Sequence, residues 1–229
     1  TLRNSSAASD VYKRQDSDIG SDWEQRWIRI GASTFCDGGD FLTEEGSTAT
    51  ASIGPQSAYN DLRYWIDTAQ SELHLHTYQF MSTELTGAVI DAIERGVEVT
   101  ILLEEGILDG ASTVDNQRGH AQAIHDAGGL VLWMDDPSQI SSPYRYIHSK
   151  VAVKDSESVW ISSGNWKESS VPVDQTGNRE WSLIVNSVEL ADLVMSRMDW
   201  DENQNSLHIS THQPRHSPSS EWTMAPEQN

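Results

Sequence analysis

The residues best suited to chemistry lie in one stretch, YIHSKVAVKDSESVWISSGNW, positions 146–166. Within it His148 is followed by Lys150 and Asp155, and then by Ser163, Gly164 and Asn165. Asn178, Arg179 and Glu180 come one loop later. A strand puts alternate side chains on one face, so Tyr146, His148, Lys150 and Ala152 share a side, while Ile147, Val151 and Val153 turn toward a core. A His and a Lys on an otherwise apolar strand need partners, because burying unpaired charge is costly. Neutral imidazole, with an unperturbed pKa of about 6.5, is a competent nucleophile at neutral pH. Lys and Asn side chains beside it are donors for oxygens on which negative charge develops.

His148, Lys150 and Asp155, followed by a GxN-type turn and a later Asn-x-Glu, resemble the HxKxxxxD signature of the phospholipase D superfamily, the HKD family. The upstream order is similar too: a helix, a strand ending in Tyr, a helix ending in Arg95-Gly96-Val97, then an apolar strand. The resemblance spans about residues 56–200.

It implies an α/β/α sandwich with a mixed β-sheet and metal-independent cleavage of a phosphodiester through a phosphohistidine, with no cofactor. His148 would attack phosphorus. Lys150 and Asn165 would donate to the non-bridging oxygens, each charge-assisted bond contributing about 1.5–3 kcal/mol. Glu180 would accept the other ring N–H of His148 and fix its tautomer, as a carboxylate does in a serine-protease triad. Ser163 would be a second donor beside the phosphate. Trp166 would line the substrate groove, with core packing as its other reading. Asp155 would be structural.

The family builds its site from two such halves, each giving one His, and only one set is found in this sequence. The second half is expected from a missing segment, the polar C-terminus being where a linker between halves would start, or from a homodimer. Phospholipid or a related diester is the favoured substrate. An HKD-type endonuclease and a non-catalytic phosphate-binding or dimerisation half-site are the alternatives.

Other polar residues have plainer readings. His74 and His76 share one face of a strand and could bind metal, but no carboxylate or third His nearby in sequence completes a set, so packing or pocket lining is expected. A metal-dependent hydrolase built on them would be exposed by a chelator. His120 and His125 are expected on a solvated helix face, and Lys154 as a solvated surface charge.

The elements that must position these residues follow from periodicity. Tyr59, Leu62, Trp65, Ile66 and Ala69 recur at helical spacing and predict a helix over 56–70. ELHLHTYQF (72–80) predicts a strand. Ser82 or Thr83 can cap a helix with an apolar face of Leu85, Val89, Ala92 and Ile93, which Gly96 stops. VEVTILLEE (97–105) is an apolar run with acidic ends, as in a buried strand. A helix around 116–127 ends at Gly128-Gly129, and LVLWM (130–134) is a strand. Strands at 146–154, 158–163 and 180–186 precede a helix over 188–200. Early alternation with strands clustered late argues a mixed sheet.

Composition sets limits on function. Lys and Arg number 15 against 35 Asp and Glu, a formal charge of −20 over 229 residues. Such a surface repels nucleic acid, whose binding depends on neutralised phosphates, and it also resembles proteins of salty habitats. Yet three of the four lysines, Lys150, Lys154 and Lys167, fall close together around the motif. Cys36 is alone, so neither an intrachain disulfide nor a cysteine metal cluster can form. No run of eighteen apolar residues occurs, so no transmembrane segment is expected. Residues 1–15 read like translated non-coding sequence. Residues 16–55 read as an acidic arm or the tail of an upstream domain, and 201–229 as a polar linker or truncated end. The Ser/Thr-rich arm would suit an extracytoplasmic location.

Overall fold

The computed structural model describes residues 46–134, 146–203 and 209–213. The segment 1–15, most of the acidic arm and Cys36 lie outside the described residues.

The helices are those that apolar spacing dictates. In α1 (Ala58–Asp67) the buried side chains are Ala58, Leu62, Trp65 and Ile66, one continuous stripe. Ser82 caps α2 (Thr83–Glu94), its hydroxyl accepting from Leu85 N at 3.3 Å, and Gly96 follows the helix at φ +93°, a conformation that favours glycine. Helix α3 (Ala111–Asp126) starts earlier than its sequence periodicity suggests, after Gly110, because the first turns are polar and carry no apolar stripe. Ser187 caps α4 (Val188–Glu202) through Leu190 N.

The strands are β1 (Thr48–Ile53), β2 (Glu72–Thr77), β3 (Phe80–Met81), β4 (Glu98–Glu104), β5 (Leu130–Met134), β6 (Lys150–Lys154), β7 (Ser158–Ser162), β8 (Trp166–Lys167), β9 (Trp181–Asn186) and β10 (Ile209–Thr211). Among the described residues eight form one sheet in the order β1-β9-β7-β6-β2-β4-β5-β10, and β3 pairs with β8 separately. Strands β2, β4 and β5 are parallel, and β6 runs antiparallel to β2. Helices α1 to α3 cover one face over Leu73, Leu75, Ile101, Ala152 and Trp160. Helix α4 covers the other, over Val153 and Val159. The fold is an α/β/α sandwich with a mixed sheet.

Several strands also differ from the sequence reading because pairing rather than side-chain pattern decides them; the strand expected at 72–80 ends at Thr77, with Phe80 and Met81 pairing in a separate sheet. The strand expected at 146–154 begins only at Lys150, since its neighbour β2 ends at Thr77, the register partner of Lys150. The sheet also extends beyond 56–200. Strand β1, within the expected arm, pairs with β9, and β10, within the expected linker, pairs with β5. Both are largely polar edge strands held by backbone hydrogen bonds, which hydrophobic periodicity does not report. Among the described residues no helix is long and apolar enough to cross a membrane.

Candidate active site

Four chain segments meet where β2 and β4 end and β6 begins. After Thr77 the chain leaves the large sheet through Tyr78 and Gln79, and β3 then pairs in parallel with β8, Phe80 opposite Trp166 and Met81 opposite Lys167. This ribbon sets residues 163–167 beside 77–81. Trp166 N donates to Gln79 O at 3.0 Å. The last residue of β4, Glu104, is fully buried. Its carboxylate accepts from Gly106 N and from Ile147 N, both at 2.9 Å, which fixes the approach of residues 146–149.

His148 sits on that approach, solvent-exposed, with Lys150 against it. The Lys150 ammonium donates to His148 O at 2.8 Å and lies 3.2 Å from Nδ1 and 3.5 Å from Nε2. The cation therefore lies close to both ring nitrogens. The Tyr78 ring packs at 5.0 Å from the imidazole, and its hydroxyl accepts from Leu108 N at 3.0 Å. Burial, and then the charge of Lys150, push the His148 pKa below the ordinary imidazole value. Burial also lowers Lys150; nearby Glu180 opposes that and nearby Lys167 adds to it. Both effects favour a neutral imidazole beside the Lys150 ammonium, the state a nitrogen nucleophile needs.

Asn165 joins through Gln79. The Gln79 Oε1 accepts from Asn165 Nδ2 at 3.0 Å and from Lys167 Nζ at 2.9 Å, and its amide nitrogen donates to Asp109. Glu180 does not hydrogen-bond His148, contrary to the triad-like role expected of it. Its carboxylate accepts from the Ser163 hydroxyl at 2.6 Å and from the Ser170 hydroxyl at 3.2 Å, and it bears on the site through the field it exerts at Lys150. The physical reason is the turn: Glu180 packs over Gly164, where an added Cβ would lie 2.8 Å from its Cγ. Ser163, exposed, also accepts from Trp181 N at 3.0 Å, so its proton is committed to Glu180.

The family model for the cardiolipin synthase PLD-like domain matches residues 62–201, more than half of the chain. The chain belongs to the phospholipase D superfamily. It is 28% identical over 129 residues to a phospholipase D of Rickettsia bellii, and the match spans about half of that relative, 55% of its length and 56% of this chain. Among solved structures it is similar to Nuc of Salmonella typhimurium, described as a phospholipase D family member (TM-score 0.61, 20% identity, 73% of this chain and 99% of that one). NucT of Helicobacter pylori is similar as well (TM-score 0.55, 19% identity, 67% and 94%).

The remaining candidates take different places in this phospholipase D-like fold. Trp166 is fully buried and packs at 5.7 Å from the Phe80 ring, so it is core and does not line a groove. Asp155 lies at the opposite end of β6 from His148. It adopts φ +54° and accepts from Gln70 N, Ser71 N, Ser71 Oγ and Glu72 N, which closes the turn leading into β2. Those donors outweigh burial and hold its pKa below the ordinary carboxylate value. Lys154, expected as a solvated charge, is half-buried, donates to Thr68 Oγ1 at 2.8 Å and stands over the Trp65 ring. His120, expected on a solvated face, is buried with Nδ1 2.8 Å from Thr86 Oγ1, because α2 packs on that side of α3. His125 is partly buried near the His212 ring.

Lys167, Gln79, Tyr78 and Asp109 are absent from the residues that sequence singled out for the site. Lys167 carried a signal, being one of so few lysines and two residues past Asn165. Tyr78 entered only as the end of a strand, and Gln79 and Asp109 carried no signal, since the β3–β8 ribbon that sets Gln79 beside Asn165 is only two residues long in each strand.

Proposed function

We propose that this chain is a phosphodiesterase in which His148 attacks phosphorus and carries the phosphoryl group as a phosphohistidine. The observation that supports this reading best is the Lys150 ammonium 3.2 Å from His148 Nδ1, with Lys167 close enough to depress Lys150. Two cations gathered on a chain of net charge −20 are matched to an anionic substrate.

An incoming diester takes over the ammonium protons of Lys150, freeing the imidazole lone pair. Lys150, Lys167 and the second amide hydrogen of Asn165 then donate to the non-bridging oxygens. A nitrogen–phosphorus bond forms, the bond to the leaving oxygen breaks with its electron pair, and that oxygen takes a proton from an acid. Water then attacks phosphorus, its proton passing to the same group, while the nitrogen–phosphorus bond breaks, its electron pair returning to His148 and the phosphomonoester leaving. The acid is a second imidazole, supplied by another copy of the chain or by a further half outside this sequence. Glu180 offsets the two lysines and holds Ser163.

Phospholipid or a related diester is the substrate that agrees with the acidic surface, which disfavours extended nucleic acid. The test sets an activated aryl phosphodiester, phospholipid vesicles and single-stranded DNA against the parent chain and His148→Ala. The parent should cleave the aryl diester, His148→Ala should not, and a chelator should leave the rate unchanged well below the melting temperature. Loss of activity to the chelator, or activity surviving His148→Ala, would overturn the mechanism. Cleavage of DNA with vesicles left intact would replace the lipid reading by the nuclease one.

A further inference from the structure

The face of the sheet opposite Lys150 and Ala152 carries a polar seam. Strand β2 presents His74 and His76 there, alternate residues of one strand face. In register His74 stands beside Val153 and Thr100, and His76 beside Val151 and Leu102. The seam separates two apolar clusters: Val153, Val159, Ala191 and Met198 on one side, Leu102, Met134 and Ile147 on the other.

Helix α4 aims its last turn at this seam. Its packed stripe is Ala191, Val194, Met195 and Met198, and at about 100° per residue Glu202 falls in the middle of that stripe, with Asp199 on its flank. The Glu202 carboxylate therefore stands where the helix pattern calls for an apolar side chain, with Asp199 exposed beside it. His76 is buried, with Nε2 2.9 Å from Glu202 Oε1. One ligand atom each of His74, Asp199 and Glu202 lie within 4.8 Å of one another. The His74 Nδ1 is buried with no hydrogen-bond partner. Its Nε2 lies 3.7 Å from Glu72, beyond hydrogen-bond length. A buried pair of His76 and Glu202 alone would need neither Asp199 nor an imidazole left without a partner.

We propose that His74, Asp199 and Glu202 bind a divalent transition-metal ion, best zinc, with His76 as the positioning residue that orients Glu202. One imidazole and two carboxylates suit zinc, whose ligand bonds of about 2.0–2.2 Å set neighbouring donors roughly 3–3.5 Å apart. Asp199 is exposed and at the helix end, so side-chain rotation closes the remaining gap. The His76 N–H engages the Glu202 carboxylate, the outer-shell bond that ligating carboxylates usually have. The ion would fasten the end of α4 to β2 on the far face from His148, so its role is structural.

The test titrates the chelator-treated chain with zinc chloride by calorimetry, alongside melting temperature and aryl-diester cleavage. Expected are one zinc per chain, a melting temperature that rises with free zinc, and affinity weakened at least tenfold in both Asp199→Asn and His74→Gln. Zinc binding that both variants retain in full would assign the ion to other histidines and overturn the proposal. So would an unchanged melting temperature at millimolar zinc. Cleavage at His148, measured in the same samples, stands or falls independently of either result.

Discussion

In the proposed mechanism the neighbours of His148 tune its reactivity, and the sign of its pH dependence follows from them. Burial and Lys150 both lower its pKa, and the attacking form is the neutral ring. The rate of aryl-diester cleavage should therefore hold as pH falls to the ordinary imidazole value of 6.5 and decline only below it. In Lys150→Met the cationic contribution is gone, so the His148 ring resonances, followed by NMR, should titrate at a higher pH than in the parent. An unchanged midpoint would mean that Lys150 does not govern the imidazole. Lys167 touches the site through Gln79. Losing one charge-assisted bond of about 1.5–3 kcal/mol predicts that Lys167→Ala lowers kcat/KM roughly 10- to 100-fold with the melting temperature kept. A loss confined to stability would remove Lys167 from the site.

At the level of elements, two motif residues hold pieces of the fold. Asp155 gathers three backbone N–H groups of the α1–β2 turn. Replacing it by Ala leaves those donors without their acceptor, and a loss of about 1–3 kcal/mol is expected in denaturant unfolding. Its folded pKa is depressed, so its stabilisation is present above the ordinary value of 3.8 and is lost as pH falls through the lower folded value. Trp166 fills the space between the β3–β8 ribbon and the core. Trp166→Ala should cost about 3–5 kcal/mol of stability; a variant of parent stability with weakened substrate binding would return Trp166 to the groove.

For the whole molecule the decisive matter is the second imidazole. Without a general acid a diester with a poor leaving group should turn over about 10²–10⁴-fold more slowly, whereas an activated aryl ester scarcely needs protonation. If two copies complete one site, natural-diester cleavage should rise with protein concentration in step with dimer formation in sedimentation. Mixing inactive His148→Ala with a trace of parent chain should suppress that activity. Full activity on an ordinary phospholipid from a strictly monomeric chain would refute the half-site reading. Charge acts at this scale as well: substrate attraction to Lys150 and Lys167 should weaken with salt, and a rate that climbs steadily with salt would instead mark a surface adapted to brine.

The candidate site was legible in the sequence as far as His148, Lys150 and Asn165, which come in order along a few strands whose alternation is local. Helices α1, α2 and α4 were legible for the same reason, their patterns lying within one element. The tertiary structure decided whatever depends on a distant partner. Packing of Glu180 over Gly164 gave its carboxylate to Ser163 and Ser170. The β3–β8 pairing carried Gln79 and Lys167 into the site and Trp166 out of it. The far end of α4, more than a hundred residues from β2, brought Asp199 and Glu202 to His74 and His76. Periodicity reports which way a side chain faces within its own element; which group waits there is set by long-range packing.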